Sequence, residues 1–158
     1  METGYSNTTK TFTIIRTNGM MVSQTNLPLY NKKLKTVTPY INMRTLNIRC
    51  DAEIGQAAFL GCPELRDIHG EGVTSIGGMA FGCCPYLKYA DFSKNLERIH
   101  QQAFLNCTRL ETIKLSPKLQ LIESGAFSGC SSLKRIYLPE NAALQDDALP
   151  KWTEIIYY

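Results

Sequence analysis

The chain has 158 residues, 44% of them hydrophobic and 20% charged, with a formal net charge of +3. That length supports one sizeable core, the composition excludes a disordered chain, and so mild a charge gives no basis for expecting a nucleic-acid partner. No apolar run reaches the length of a membrane span, so no membrane insertion is expected.

The first ten residues, METGYSNTTK, have neither the basic nor the apolar region of a signal peptide. Together with the cysteine usage below, this points to the cytoplasm. Asn7-Thr8-Thr9 and Asn106-Cys107-Thr108 fit the glycosylation acceptor pattern, which is short enough to recur by chance. In TFTIIRTNGMMVS, Asn18-Gly19 separates two apolar stretches, the signature of a tight β-hairpin. Residues 1–34 are read as a hairpin that caps the open end of the segment that follows, because an exposed strand edge invites pairing with other chains.

Residues 35–158 repeat. Ile54, Ile76, Ile99, Ile122 and Leu144 open successive units at steps of 22 or 23 residues. Four positions later come Ala58, Ala80, Ala103, Ala126 and Ala148, followed directly by Phe59, Phe81, Phe104, Phe127 and Leu149. Next in phase are Cys62, Cys84, Cys107 and Cys130, with Trp152 last, then Leu65, Leu87, Leu110 and Leu133, with Ile155 last. Ile68, Ala90, Ile113, Ile136 and Tyr158 close the pattern. A degenerate earlier unit holds Val37, Tyr40, Met43 and Leu46, which makes about six coils. LETIKLS alternates apolar and polar residues, as a strand with one buried face does. GAFSGC suits a tight turn or a single helical turn. One coil cannot bury its own Ile, Phe and Leu, whereas coils stacked at the strand spacing of ~4.8 Å share a continuous core. The expected fold is therefore a parallel-strand solenoid.

The motif I-x-x-x-A-F-x-x-C-x-x-L-x-x-I-x-L resembles the leucine-rich repeat of the BspA-like (Treponema pallidum) class over about residues 35 to 158. The resemblance implies an α/β-type, mainly β, right-handed coil of about six 22–23-residue repeats, with parallel strands on a concave face. It also implies a surface or secreted location and a role in adhesion or protein binding, against the cytoplasmic reading above.

Chemistry is sparse along the chain. Cys62, Cys84, Cys107 and Cys130 share one column, and a row of thiols cannot surround a metal ion tetrahedrally. They are expected to be buried, reduced and to act as small hydrophobes. Cys50 and Cys83 lie off the column, and their pairing is left open. No nucleophile elbow, phosphate loop, dinucleotide fingerprint or HExxH motif is present, so no cofactor, metal or enzymatic activity is expected. His69 lies near Asp67 and Asp91, an arrangement that could serve acid–base chemistry but fits a solvated charged surface as well.

Alternation puts two columns on the outer face of the strands. One reads Thr45, Asp67, Tyr89, Thr112, Arg135 and Tyr157, and the other Asn47, His69, Asp91, Lys114 and Tyr137. On the concave face, Asp67, His69, Tyr89, Asp91, Lys114, Arg135 and Tyr137 are the expected contacts to another protein, since Tyr and Arg are enriched in binding surfaces. A basic row, Arg44, Arg66, Lys88 and Lys134, is broken by Glu111. At the last coil two readings stand. Trp152 plugs the core, or Trp152, Ile155, Ile156, Tyr157 and Tyr158 form an apolar end face through which the chain self-associates, a homodimer being the simplest form.

Overall fold

The computed structural model describes residues 43–158 in full and, nearer the N-terminus, the backbone of four strands. Those four are β1 (Thr11–Thr17), β2 (Met20–Ser23), β3 (Pro28–Leu29) and β4 (Lys33–Leu34). The Asn18-Gly19 turn and the column residues Val37 and Tyr40 lie outside the described residues.

Each coil then contributes two strands and a turn. The first strands are β5 (Thr45–Ile48), β7 (Asp67–His69), β9 (Tyr89–Phe92), β11 (Thr112–Leu115) and β13 (Arg135–Leu138). The second strands are β6 (Ala52–Ile54), β8 (Val73–Ile76), β10 (Arg98–Ile99), β12 (Leu121–Ile122) and β14 (Ala143–Leu144). A final strand, β15 (Glu154–Tyr157), follows. The result is a mainly β parallel solenoid of about five turns. Among the described residues there is no helix, and the Ala-Phe-x-x-Cys segment is a run of turns.

Second strands form one six-stranded parallel sheet ordered β14-β12-β10-β8-β6-β4. First strands β5 to β11 form the other sheet, extended by β1 parallel to β5 and by β2 and β3 antiparallel beyond it. Thr17 pairs with Met20 across β1 and β2, a hairpin laid on the edge of β5. The first sheet stops at β11. Strands β13 and β15 make a separate two-stranded sheet, so the hydrogen-bond ladder is interrupted between β11 and β13.

The repeat columns become stacks inside the coil. Phe59, Phe81, Phe104 and Phe127 are fully buried and stack as a continuous pile, with centroids 5.3, 5.4 and 5.1 Å apart and rings tilted by no more than 15°. Offset stacking adds to the large apolar area these rings bury. Phe92 packs against Phe81 and Phe104, and its ring occupies the space that a Cβ on Gly70 would need. The bulk missing at one coil is thus supplied by the next.

The thiols follow the same rule. Cys84 Sγ donates to the Phe59 carbonyl at 3.3 Å, Cys107 to Phe81 at 3.0 Å and Cys130 to Phe104 at 3.2 Å. Each of these three buried thiols is satisfied by the coil before it. Burial pushes the Cys130 thiol up to about 12, and the neighbouring Cys107 thiol, then burial, raises Cys84 as well. None of the six cysteines is in a disulfide, and Cys83 is exposed whereas Cys50 is buried.

The last turn departs from the sequence expectation. Ile136 pairs with Ile155, nineteen positions on, and not with Tyr158. The Thr153 hydroxyl donates to the Leu133 carbonyl at 2.8 Å and the Glu154 amide to Lys134 at 2.8 Å, which fixes this shorter register. Trp152 therefore leaves the cysteine column and is 53% exposed, so it does not plug the core. Glu154, not Tyr157, continues the outer column after Arg135, and Ile156 follows Tyr137.

Two outcomes check this packing. Thiol labelling followed by mass spectrometry should modify Cys83 quickly and leave Cys62, Cys84, Cys107 and Cys130 unmodified until denaturant is added. Phe104→Ala, which opens the middle of the ring pile, should cost about 3–5 kcal/mol in urea unfolding, and an unchanged midpoint would contradict the stacked core.

Candidate functional site

Parallel registration brings residues a whole coil apart in sequence side by side on the outer face of the first sheet. Thr45, Asp67, Tyr89 and Thr112 pair in one row, and Asn47, His69, Asp91 and Lys114 in the next. The strands are held from behind by fully buried Leu46, Ile68 and Ala90 and nearly fully buried Ile113, so these side chains stand on a rigid base.

Four of the seven expected contact residues form one network. The Tyr89 hydroxyl donates to Asp91 Oδ2 at 2.9 Å. Lys114 Nζ lies 3.7 Å from the same oxygen and 5.7 Å from the centre of the Tyr89 ring. The His69 ring rests against Tyr89, with centroids 5.7 Å apart and planes tilted by 49°. The Ser93 amide donates to Asp91 Oδ1 at 3.1 Å. Asp91 is thus a hub whose oxygens are occupied by its own neighbours.

Electrostatics follow from that geometry. Burial on its own would raise the Asp91 carboxyl, yet hydrogen bonds from Ser93 and Tyr89, with the Lys114 ammonium, hold it below the usual aspartate range. Burial, then the bond to Asp91, pushes the Tyr89 phenol up. The Tyr89 phenol and the Asp91 carboxylate keep Lys114 above its ordinary value. The lowered carboxyl stabilises the folded state above the pKa of an unfolded aspartate, and that contribution is lost as pH falls through the lowered folded value. At neutral pH the network is intact.

The remaining expected contacts are spread out. Asp67 is half-buried and in register with Tyr89. Arg135 and Tyr137 are exposed on β13, beyond the interruption in the ladder, and so form a second patch. The basic row is partly neutralised, with Arg44 3.4 Å from Glu64 and Lys88 3.4 Å from Glu111. At the end of the chain Trp152, Tyr157 and Tyr158 are about half exposed, and Ile155 and Ile156 are half-buried. The Tyr158 hydroxyl donates to the Leu115 carbonyl at 3.1 Å, reaching from β15 past β13 to β11.

On the second sheet the structure brings together a pair that sequence reasoning passed over. His100 Nδ1 lies 2.9 Å from Glu123 Oε1, at the rim of a trough of about 360 Å³. Their spacing equals one repeat step, which is the signal that could have joined them. Among the described residues no three His, Cys, Asp or Glu side chains converge as metal ligands, and no helix is long and apolar enough to cross a membrane.

Comparison with known proteins places this geometry. The chain is similar in fold to a leucine rich cell surface protein from Faecalibacterium prausnitzii, with a TM-score of 0.56 and 20% identity over 91% of this chain and 39% of the other. It is similar also to a leucine-rich repeat protein from Eubacterium ventriosum, with a TM-score of 0.51 and 18% identity over 92% of this chain and 51% of the other. The chain thus spans about two fifths to one half of the length of these proteins. No curated protein matches the sequence. The pattern of the BspA type leucine rich repeat region matches residues 39–152 in six copies, and the chain belongs to that family.

Proposed function

We propose that the chain is a non-enzymatic binding module that holds another protein on the outer face of its first sheet. The observation that carries this reading is the His69, Tyr89, Asp91 and Lys114 network. Aromatic and charged side chains already locked to one another lose little conformational freedom when a partner arrives, which favours affinity. Arg135 and Tyr137 supply the residue types that most often anchor an interface. The face is acidic toward Asp67 and Asp91 and basic toward Lys114 and Arg135, which sets the orientation of a partner of matching polarity.

Membership of the repeat family supports an interaction or adhesion role. The similar Faecalibacterium protein is described as a cell surface protein, and that supports a surface location for this chain. The cytoplasmic expectation drawn from its first residues finds no support in the comparisons. A second reading is self-association through the last coil. It rests on the exposed Trp152, Tyr157 and Tyr158 beside β15, which has a strand partner on one side only. An open strand edge with apolar neighbours templates pairing with another chain.

Affinity capture with the wild-type chain, a Tyr89→Ser/Arg135→Ala/Tyr137→Ser variant and an Arg98→Ala control on the second sheet tests the first reading. A protein retained by wild type and control but lost with the triple variant is the expected outcome. Stability should change by no more than about 0.5 kcal/mol at each of the exposed positions Arg135 and Tyr137. A partner retained by the triple variant would move the site elsewhere. Light scattering over a concentration series tests the second reading. Self-association that disappears with Ile156→Lys is expected, and a strict monomer at high concentration rules it out.

A further inference from the structure

Outside the first sheet, one column of the second sheet changes character along the solenoid. Immediately after each second strand stand Gly55, Gly77, His100, Glu123 and Gln145 in successive coils. Late in the array, the side chain in this column caps a backbone amide of the coil before it. Glu123 Oε2 accepts from the Gln101 amide at 3.1 Å, and Gln145 Oε1 accepts from the Ser124 amide at 2.9 Å.

The two preceding positions lack that cap. Gly77 has no side chain to offer the Gln56 amide. A Cβ there would lie 2.7 Å from the Gln56 nitrogen and the Ile54 carbonyl oxygen, so the approach of the two coils forbids any other residue. The His100 ring is turned toward Glu123 instead of toward Gly78. Among the described residues neither the Gln56 amide nor the Gly78 amide has a hydrogen-bond acceptor. Both residues line the trough of about 360 Å³, whose walls include Glu53, Ser75 and His100.

The chain itself indicates what completes such a position. Its own caps are a carboxylate and a carboxamide, each presenting an sp² oxygen to the amide. Glu53 and Glu123 both line the trough, and Glu123 is already engaged by His100 and Gln101. A carboxylate entering it would satisfy the amides and meet two like charges. A primary carboxamide can give its oxygen to the amides and its NH₂ group to the Glu53 carboxylate or the Ser75 hydroxyl. His100, with Nδ1 held by Glu123, carries Nε2 on the far side of the ring, available as a further contact.

We propose that this trough is a receptor for a primary carboxamide, carried by a glutamine or asparagine side chain of a polypeptide or by a small free amide. It lies on the other sheet from the face proposed above and does not depend on that reading.

The test is a titration of the full ¹⁵N-labelled chain with acetamide, N-acetyl-glutamine methylamide and N-acetyl-glutamate methylamide. The Gln56 and Gly78 amide resonances should move saturably with the first two probes, while the capped Gln101 and Ser124 amides stay in place. The glutamate probe should bind about tenfold or more weakly, because like charges are juxtaposed. Tighter binding of blocked glutamine than of acetamide assigns the site to a polypeptide ligand, and equal binding to a free amide. In Glu53→Gln the preference over the glutamate probe should shrink. No saturable movement at Gln56 and Gly78, equal binding of the glutamate probe, or an unaltered preference in Glu53→Gln would each overturn the proposal.

Discussion

In the turn that carries Ala, Phe and Cys only alternate amides bond within their own coil, as Ala58 does to Gly55, Leu60 to Ala57 and Cys62 to Phe59, and the solenoid is built around satisfying the others. Buried backbone amides must find acceptors, and here they find them in the next coil. Phe59 donates to Ala80, Phe81 to Ala103, Phe104 to Ala126 and Phe127 to Ala148, at 2.7 to 3.0 Å. On either side of Phe59, Phe81 and Phe104, and before Phe127, a residue with positive φ turns its amide the same way. Ala57, Met79, Gln102 and Gly125 do so before the Phe, and Gly61, Cys83 and Asn106 after it. For residues other than Gly this conformation costs roughly 1–2 kcal/mol, and the intercoil bond offsets that cost. The fully buried Ala column and the ring pile follow, because coils joined so closely at the backbone leave room for a small residue and a flat one.

That constraint also explains where function can reside. The buried columns are nearly identical from coil to coil, since each must match its neighbour. The outer columns are free to differ, and only they combine unlike residues such as His69, Tyr89, Asp91 and Lys114 at a spacing set by the core. The trough at Gly77 has the same origin. Close approach of two coils removes a side chain from the outer column, and the vacancy is a consequence of packing.

Much of this was legible in the sequence because a solenoid converts periodicity directly into contact. Phe59, Phe81, Phe104 and Phe127 are in phase in the sequence and stacked in space. The outer rows through Asp67 and His69 could be written down in the same way. Register at the last coil could not. In WTEIIYY both Ile155 and Tyr158 satisfy an apolar pattern, and the choice between them rests on the Thr153 hydroxyl and the Leu133 carbonyl, a polar contact with no hydropathy signature. Left-handed positions were hidden as well, because Ala57, Met79 and Gln102 are not the residue types that usually announce them. The His100–Glu123 pair lies just beyond β10 and β12, where strand alternation marks no outward column.

The interruption between β11 and β13 has a mechanical consequence. Intercoil hydrogen bonds run along the solenoid axis, so tension applied at its two ends loads them end-on and opens them in succession. Most junctions share that tension among the first sheet, the second sheet and the turn. At the junction between the last two coils the first sheet contributes no ladder, and the load falls on β12 with β14, on the turn, and on the strut from the Tyr158 hydroxyl to the Leu115 carbonyl. A pull on this chain would part it there first, leaving the His69 to Lys114 face seated on coils that still hold.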